Sequence, residues 1–137
     1  MENILLTVNV ILAVILVILV LLQKKNKLTH KILKKQIING LKGIKKFSNV
    51  ILAYEPVWSI GSGLIPDTSD LELNISYIKK IVKKNFKVKK LKVLYGGSVN
   101  PKNVSELNKI DIIDGFLVGS ASKDSKKFID IVQKTFI

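Results

Sequence analysis

The stretch Val50-Ile51-Leu52-Ala53-Tyr54-Glu55-Pro56-Val57-Trp58-Ser59-Ile60-Gly61-Ser62-Gly63 constrains this chain more than any other. It opens as an apolar run, Val50 to Tyr54, with the length and β-branched content of a buried strand. The run ends on a carboxylate, and Pro56 stops the ladder because it has no N–H to give. A loop follows that mixes one large aromatic, Trp58, with two glycines. A carboxylate at the C-terminal end of a buried strand is where parallel α/β folds hold their chemistry. The same pattern also describes an ordinary solvated charge closing a strand.

The flanking chain repeats the strand–helix alternation. Thr29 is a candidate cap for a helix running to about Lys46, with Leu33, Ile37, Leu41 and Ile44 on one face. Gly40 and Gly43 weaken it by roughly 1 kcal/mol each against alanine. Ser69-Asp70-Leu71-Glu72 has capping-box spacing, and Leu71, Ile75, Ile78 and Val82 form a second helical stripe. Lys79, Lys80, Lys83 and Lys84 fall on the opposite face and in the last turn, where positive charge suits the helix dipole. Leu91 to Tyr95 reads as a strand and Gly96-Gly97 as a tight loop. Asn100-Pro101 reads as a cap with proline at the first helical position, ahead of a buried pair Val104 and Leu107. Ile112 to Val118 is the next strand, and Phe128, Val132 and Phe136 step by four along a final helix. Three strands alternating with helices predict a parallel βαβ arrangement.

The N-terminal segment has a different character. Ile4 to Leu22 is interrupted only by Thr7 and Asn9, and sixteen of its nineteen residues are Leu, Ile or Val. As a helix it would measure roughly 28 Å, about the hydrocarbon thickness of a bilayer. A cleavable signal peptide would want a basic start and a small-residue cleavage site, whereas this chain opens Met1-Glu2-Asn3 and continues Gln23-Lys24-Lys25. The expectation is therefore a transmembrane helix over residues 1–23 and a basic linker over 24–28. Lysines follow the run and none precedes it, so the N-terminus is expected outside and the remainder in the cytoplasm. Val8-Asn9-Val10 and Val20-Leu21-Leu22-Gln23 resemble the first span of the SecG-type protein-export subunit. That family has a second span, which this chain lacks.

The net charge is +13, and all 23 basic residues are lysine. Such an excess suits nucleic acid or an anionic membrane surface. The absence of arginine removes the bidentate donors of base and phosphate recognition, and the lysines are dispersed, so no nucleic-acid partner is expected. No cysteine is present, which excludes disulfides and thiolate metal sites. His30 is the only histidine and has no second ligand beside it, so no metal or cofactor is expected.

Three motifs carry a closer resemblance. Ala53-Tyr54-Glu55-Pro56-Val57-Trp58, then Ile60-Gly61-Ser62-Gly63, resembles the sixth strand and mobile lid of triose-phosphate isomerase. Leu94-Tyr95-Gly96-Gly97-Ser98-Val99 resembles that family's seventh loop. Asp114-Gly115-Phe116-Leu117-Val118-Gly119-Ser120-Ala121-Ser122 resembles its eighth strand and phosphate loop. The resemblance covers about Thr29 to Ile137, roughly the C-terminal half of the family's barrel. It implies an α/β fold: a partial (β/α)8 TIM barrel of about three C-terminal βα units plus one preceding helix, over residues 29–137.

The resemblance also implies roles. Glu55 would be the general base that interconverts dihydroxyacetone phosphate and glyceraldehyde 3-phosphate. Pro56, Val57 and Trp58 would form the first lid hinge, and Ser59, Ile60, Gly61, Ser62 and Gly63 the tip; Trp58 reads equally as a core anchor. Gly61, Ser98, Gly119 and Ser120 would receive the substrate phosphate, largely through backbone N–H groups. Two positions depart from the family. Serine stands at 120 where glycine is usual, so a Cβ meets the phosphate or restricts φ. The second hinge reads Leu64-Ile65-Pro66 instead of the common Lys-Thr-Ala. The family's early asparagine and lysine, and the histidine that polarises the substrate carbonyl, have no counterpart here. The expectation is a truncated isomerase homologue, inactive alone, that self-associates or pairs with a complementary half-barrel. The alternatives are an export-channel fragment fused to a vestigial half-barrel, and a phosphate-binding half-barrel without catalysis.

Overall fold

The structure, a computed structural model, describes residues 15–21 and 27–136. Among the described residues, three parallel strands form one sheet in chain order: β1 (Ile15–Leu21), β2 (Val50–Pro56) and β3 (Lys92–Tyr95). Helix α1 (Lys27–Leu41) connects β1 to β2, and α2 (Thr68–Phe86) connects β2 to β3. Beyond β3 come the single turn α3 (Val104–Leu107), a 3-10 turn at Ser120–Lys123 and α4 (Ser125–Phe136). Strand order that follows chain order, with a helix in each crossover, is the local pattern of a singly wound barrel wall; a doubly wound sheet reverses direction at its centre.

The first strand departs from an expectation. Residues 1–23 were expected as a membrane helix, yet Ile15–Leu21 pairs with β2 in parallel register, from Ile15 opposite Val50 to Leu21 opposite Pro56. The physical reason is that an unbroken aliphatic run has no period. It satisfies a strand buried in a parallel sheet as well as it satisfies a helix. The unpaired edge of β2 supplies the backbone partners that decide between them. No helix among the described residues is long and apolar enough to cross a membrane. Residues 1–14 and 22–26 lie outside the described residues, while Lys27 and Leu28, expected in the linker, belong to α1.

The core lies between sheet and helices. Leu33, Ile37 and Leu41 of α1 and Leu71, Ile75, Ile78 and Val82 of α2 are fully buried, as their spacing requires. They meet Leu52 and Tyr54 of β2 and Val93 and Tyr95 of β3, which alternation turns to the same side. Ile51, Glu55 and Leu94 are only partly buried on the opposite side.

Local differences from the sequence reading have local causes. Helix α1 ends at Leu41 instead of near Lys46, because Gly43 takes φ +84° and the Ile44 N–H returns to the Leu41 carbonyl. Helix α2 starts at Thr68 behind Asp67, so Ser69 lies within the helix and the expected capping box does not form. The segment 112–118 pairs with β3 through a single bridge, Phe116 to Tyr95, with Asp114, Tyr95 and Leu117 N–H groups in the exchange. Gly115 at φ +151° breaks the extended run. In α4 the buried residue is Ile131, whereas Phe128, Val132 and Phe136 are exposed. His30 stacks on Tyr77 with ring centroids 4.0 Å apart.

Candidate active site

Glu55, one residue before the end of β2, lies beside Gly96, whose N–H donates to the Tyr54 carbonyl at 3.0 Å. Gly96 is glycine for a steric reason: a Cβ there would lie 2.6 Å from Glu55 Cγ and 2.7 Å from its Oε1. The carboxylate therefore lies across the floor of the β3 loop. Burial raises its pKa above the usual carboxylate value, which makes the ionised form a stronger base.

A cleft of about 1070 Å³ opens at this end of the strands. Its walls include Glu55, the loop residues Ile60, Gly61 and Gly63, the Gly96–Ser98 turn, and Gly119 with Ser120. All the sequence-selected candidates for base and phosphate contact thus face one cavity. Ser120 begins a 3-10 turn, and Lys87 is the only non-glycine with positive φ among the described residues, so serine at 120 meets no φ restriction. A second cavity, about 1050 Å³, lies at the opposite end of β2 and β3 and collects Lys79, Lys80, Lys83, Lys89, Lys90 and Lys92. It contains none of the candidate residues.

The loop after β2 is tied down over the cleft. A 3-10 turn, Val57–Ser59, follows Pro56. Ser98 Oγ donates to the Ser59 carbonyl at 2.6 Å and accepts the Gly63 N–H at 2.9 Å. Ser59 Oγ donates to the Leu64 carbonyl at 2.6 Å and lies 2.8 Å from the Tyr95 hydroxyl. Gly61 and Gly63 take φ of +66° and +79°, which lets the tip turn back within so few residues. Trp58 is 37% exposed.

Sequence reasoning missed several participants. Tyr95 reads as one more apolar strand residue, but burial pushes its phenol pKa up and its hydroxyl reaches Ser59. Asn103 Nδ2 donates to the Ser98 carbonyl at 2.8 Å and holds the loop from behind. Lys102, Lys127 and Asp130 add charge to the cleft wall. Lys79, expected on a solvated face, pairs with Asp114 at 2.7 Å. The one available sign was an aromatic hydroxyl directly before Gly96-Gly97. His30 is not among the residues of the cleft.

Comparison with known proteins bears on this arrangement. The family model for triosephosphate isomerase matches residues 7–135. The chain belongs to the triosephosphate isomerase family. Similar curated proteins include the triosephosphate isomerases of Endomicrobium trichonymphae, 39% identical over 115 residues, and Thermodesulfovibrio yellowstonii, 38% over 112. The enzyme of Buchnera aphidicola subsp. Schizaphis graminum is 41% identical over 116. These alignments cover 80–81% of this chain and 45–46% of the relatives, so the chain spans about half the length of the proteins it matches. The match also begins at residue 7, well before the expected Thr29, and so takes in most of the apolar run. The resemblance of that run to an export subunit has no support.

Proposed function

We propose that this chain forms the base-and-lid half of a triose-phosphate isomerase. Glu55 takes a proton from the carbon beside the substrate carbonyl and returns it to the neighbouring carbon. Ser98, Gly119 and Ser120, with Gly61 from the lid, receive the phosphate through backbone N–H groups. The observation that carries the reading is the common cleft: the carboxylate with the raised pKa and the proposed phosphate residues border the same cavity. A lid across that cavity excludes water and strengthens the interactions beneath it.

The proton transfer also needs a group to polarise the carbonyl and shift a proton between the two oxygens. The chain's only histidine is not among the residues that line the cleft. A second polypeptide carrying the missing half would supply that group and cover the partly buried sheet face around Ile51 and Leu94. Losing one positioned transition-state donor costs about 10²–10³ in rate, so the purified chain alone has no isomerase activity above background. Adding the first half of a related isomerase in trans restores activity, and Glu55→Gln abolishes it. Restored turnover insensitive to Glu55→Gln would overturn the role of Glu55.

A second reading rests on the composition of Ile4–Leu22 and the lysines after it. In that reading the run anchors the chain in a membrane, N-terminus outside and remainder in the cytoplasm. The same residues cannot sit in a bilayer and pair with β2. Resistance of the full chain to carbonate extraction supports the anchor; release supports the strand.

A further inference from the structure

We propose that, where no complementary half is bound, two copies of this chain close on each other as one eight-stranded ring. The inference goes beyond the function proposed above and uses none of its chemistry. The described residues carry four strand-and-helix units: β1 with α1, β2 with α2, β3 with α3, and the segment 112–118 with α4. A closed parallel barrel needs eight. Among the described residues both ends of the four are open. β1 has only β2 as a neighbour, and segment 112–118 has only β3. The bridge to Tyr95 uses the Gly115 carbonyl and the Leu117 N–H. The N–H and carbonyl of Phe116, between them, therefore point away from β3. Phe116 is half-buried, and backbone groups so placed call for a further strand.

A second copy fits by symmetry. A two-fold axis along the barrel keeps every strand parallel, sets the 112–118 edge of each copy beside β1 of the other, and leaves no edge over. The same rotation lays α4 of one copy next to α1 of the other, since each helix follows its own strand. Helix α4 carries a surface for that contact: Phe128, Ile129 and Val132 are exposed although Ile131 on the same helix is buried. Leu28, at the start of α1, is exposed as well. Glu55 shares the side of the sheet away from the helices with Ile51 and Leu94, so the second copy becomes the far wall of the Glu55 cleft. The ring also fixes a register. Leu19, Tyr54, Tyr95 and Phe116 lie in one row across the four strands. A barrel of this type has a shear of about 8, and two equal copies share it, so each half-turn offsets the row by about four residues. The strands lean to the right and right-handed crossovers place each next strand to the right, so the row runs toward the strand starts. Phe116 therefore faces the second copy's Ile15, and Leu117 faces its Leu16.

The test is disulfide trapping in the full chain, which has no cysteine of its own to interfere. Neighbouring strands lie about 4.8 Å apart, inside the roughly 4.4–6.8 Å that a disulfide spans. Leu16→Cys with Leu117→Cys is expected to oxidise to covalent dimers and to stop there, because two joins close the ring. Val20→Cys with Leu117→Cys is out of register by four residues, about 13 Å, and is expected to stay uncrosslinked. Within one copy each pair lies three strands apart, about 14 Å, so neither closes on itself. A ladder of trimers and tetramers overturns the ring, since it means open edge-to-edge stacking. Equal crosslinking of the two pairs overturns it too, because random contact has no register. Sedimentation of the wild-type chain covers the case of a variant that fails to fold: a dimer is expected as the largest species, and a monomer at every concentration overturns the ring. If the dimers form but the chain complemented by the first half of a related isomerase stays inactive, the ring stands and the proposed function fails.

Discussion

Replacing Gly96 with alanine puts a methyl group 2.6 Å from Glu55 Cγ and 2.7 Å from Oε1. Non-bonded carbons settle at about 3.5–4.0 Å, so the Glu55 side chain must retreat by about 1 Å. The atoms in the way belong to a flexible, half-buried side chain and not to backbone, so the strain falls below the roughly 1–3 kcal/mol of an overpacked rigid core. For chemistry the same retreat is severe: a misplacement of about 1 Å costs on the order of 10²-fold in rate. Gly96→Ala is therefore expected to separate stability from function. Thermal melting of the chain should stay close to wild type. An NMR titration of the Glu55 carboxyl carbon should show its pKa falling back toward the ordinary value, because the displaced group gains solvent and burial is what raises it. When complemented by the missing half, the variant should lose about two orders of magnitude in turnover. A Glu55 titration identical to wild type, with full complemented activity, would refute the reasoning.

Other perturbations have equally definite outcomes. The folded pKa of Glu55 lies above its unfolded value, so its contribution to stability is fully present below the unfolded pKa and is lost as pH rises through the folded one. Urea titrations at stepped pH should show that fall in wild type and not in Glu55→Gln. Ile131→Ala should cost about 2–5 kcal/mol, because the side chain is buried, while Phe136→Ala, at 83% exposure, should stay within about 0.5 kcal/mol; the reverse ranking in thermal melts would mean α4 docks by its other face. The exposed row Phe128, Ile129, Val132 and Phe136 should make sedimentation concentration-dependent, and Phe128→Lys with Val132→Lys should abolish that dependence. A wild-type chain that stays monomeric at high concentration would contradict this.

The parts legible in the sequence were those set by neighbours along the chain. Glu55 before Pro56, and the stripes Leu33–Leu41 and Leu71–Val82, follow from strand and helix periods, and the structure buries those stripes. Three matters needed the tertiary fold. The apolar run 15–21 became a strand because β2 offered an edge, which no window of residues 4–22 contains. The buried side of α4 is set by what α3 presents, so Ile131 displaced the equally regular row of Phe128, Val132 and Phe136. The Ser59–Tyr95 contact joins residues 36 positions apart, and nothing in the spacing of a serine and a tyrosine announces it.

The parallel pairing of β1 with β2 also sets a timetable. Each β1 residue meets a partner thirty-five positions later, Ile15 with Val50 and Leu21 with Pro56. A ribosome adds about 5–20 residues per second, so the aliphatic run is made some seconds before its partner exists, and longer still before that partner clears the exit tunnel. During that interval the run is a naked oily segment followed directly by lysines, and whatever binds such segments has first access to it. Under the membrane-anchor reading proposed above, β2 competes with the bilayer for the same run as the chain emerges. Under that reading, slowing synthesis between Leu22 and Val50 favours the bilayer without changing one amino acid.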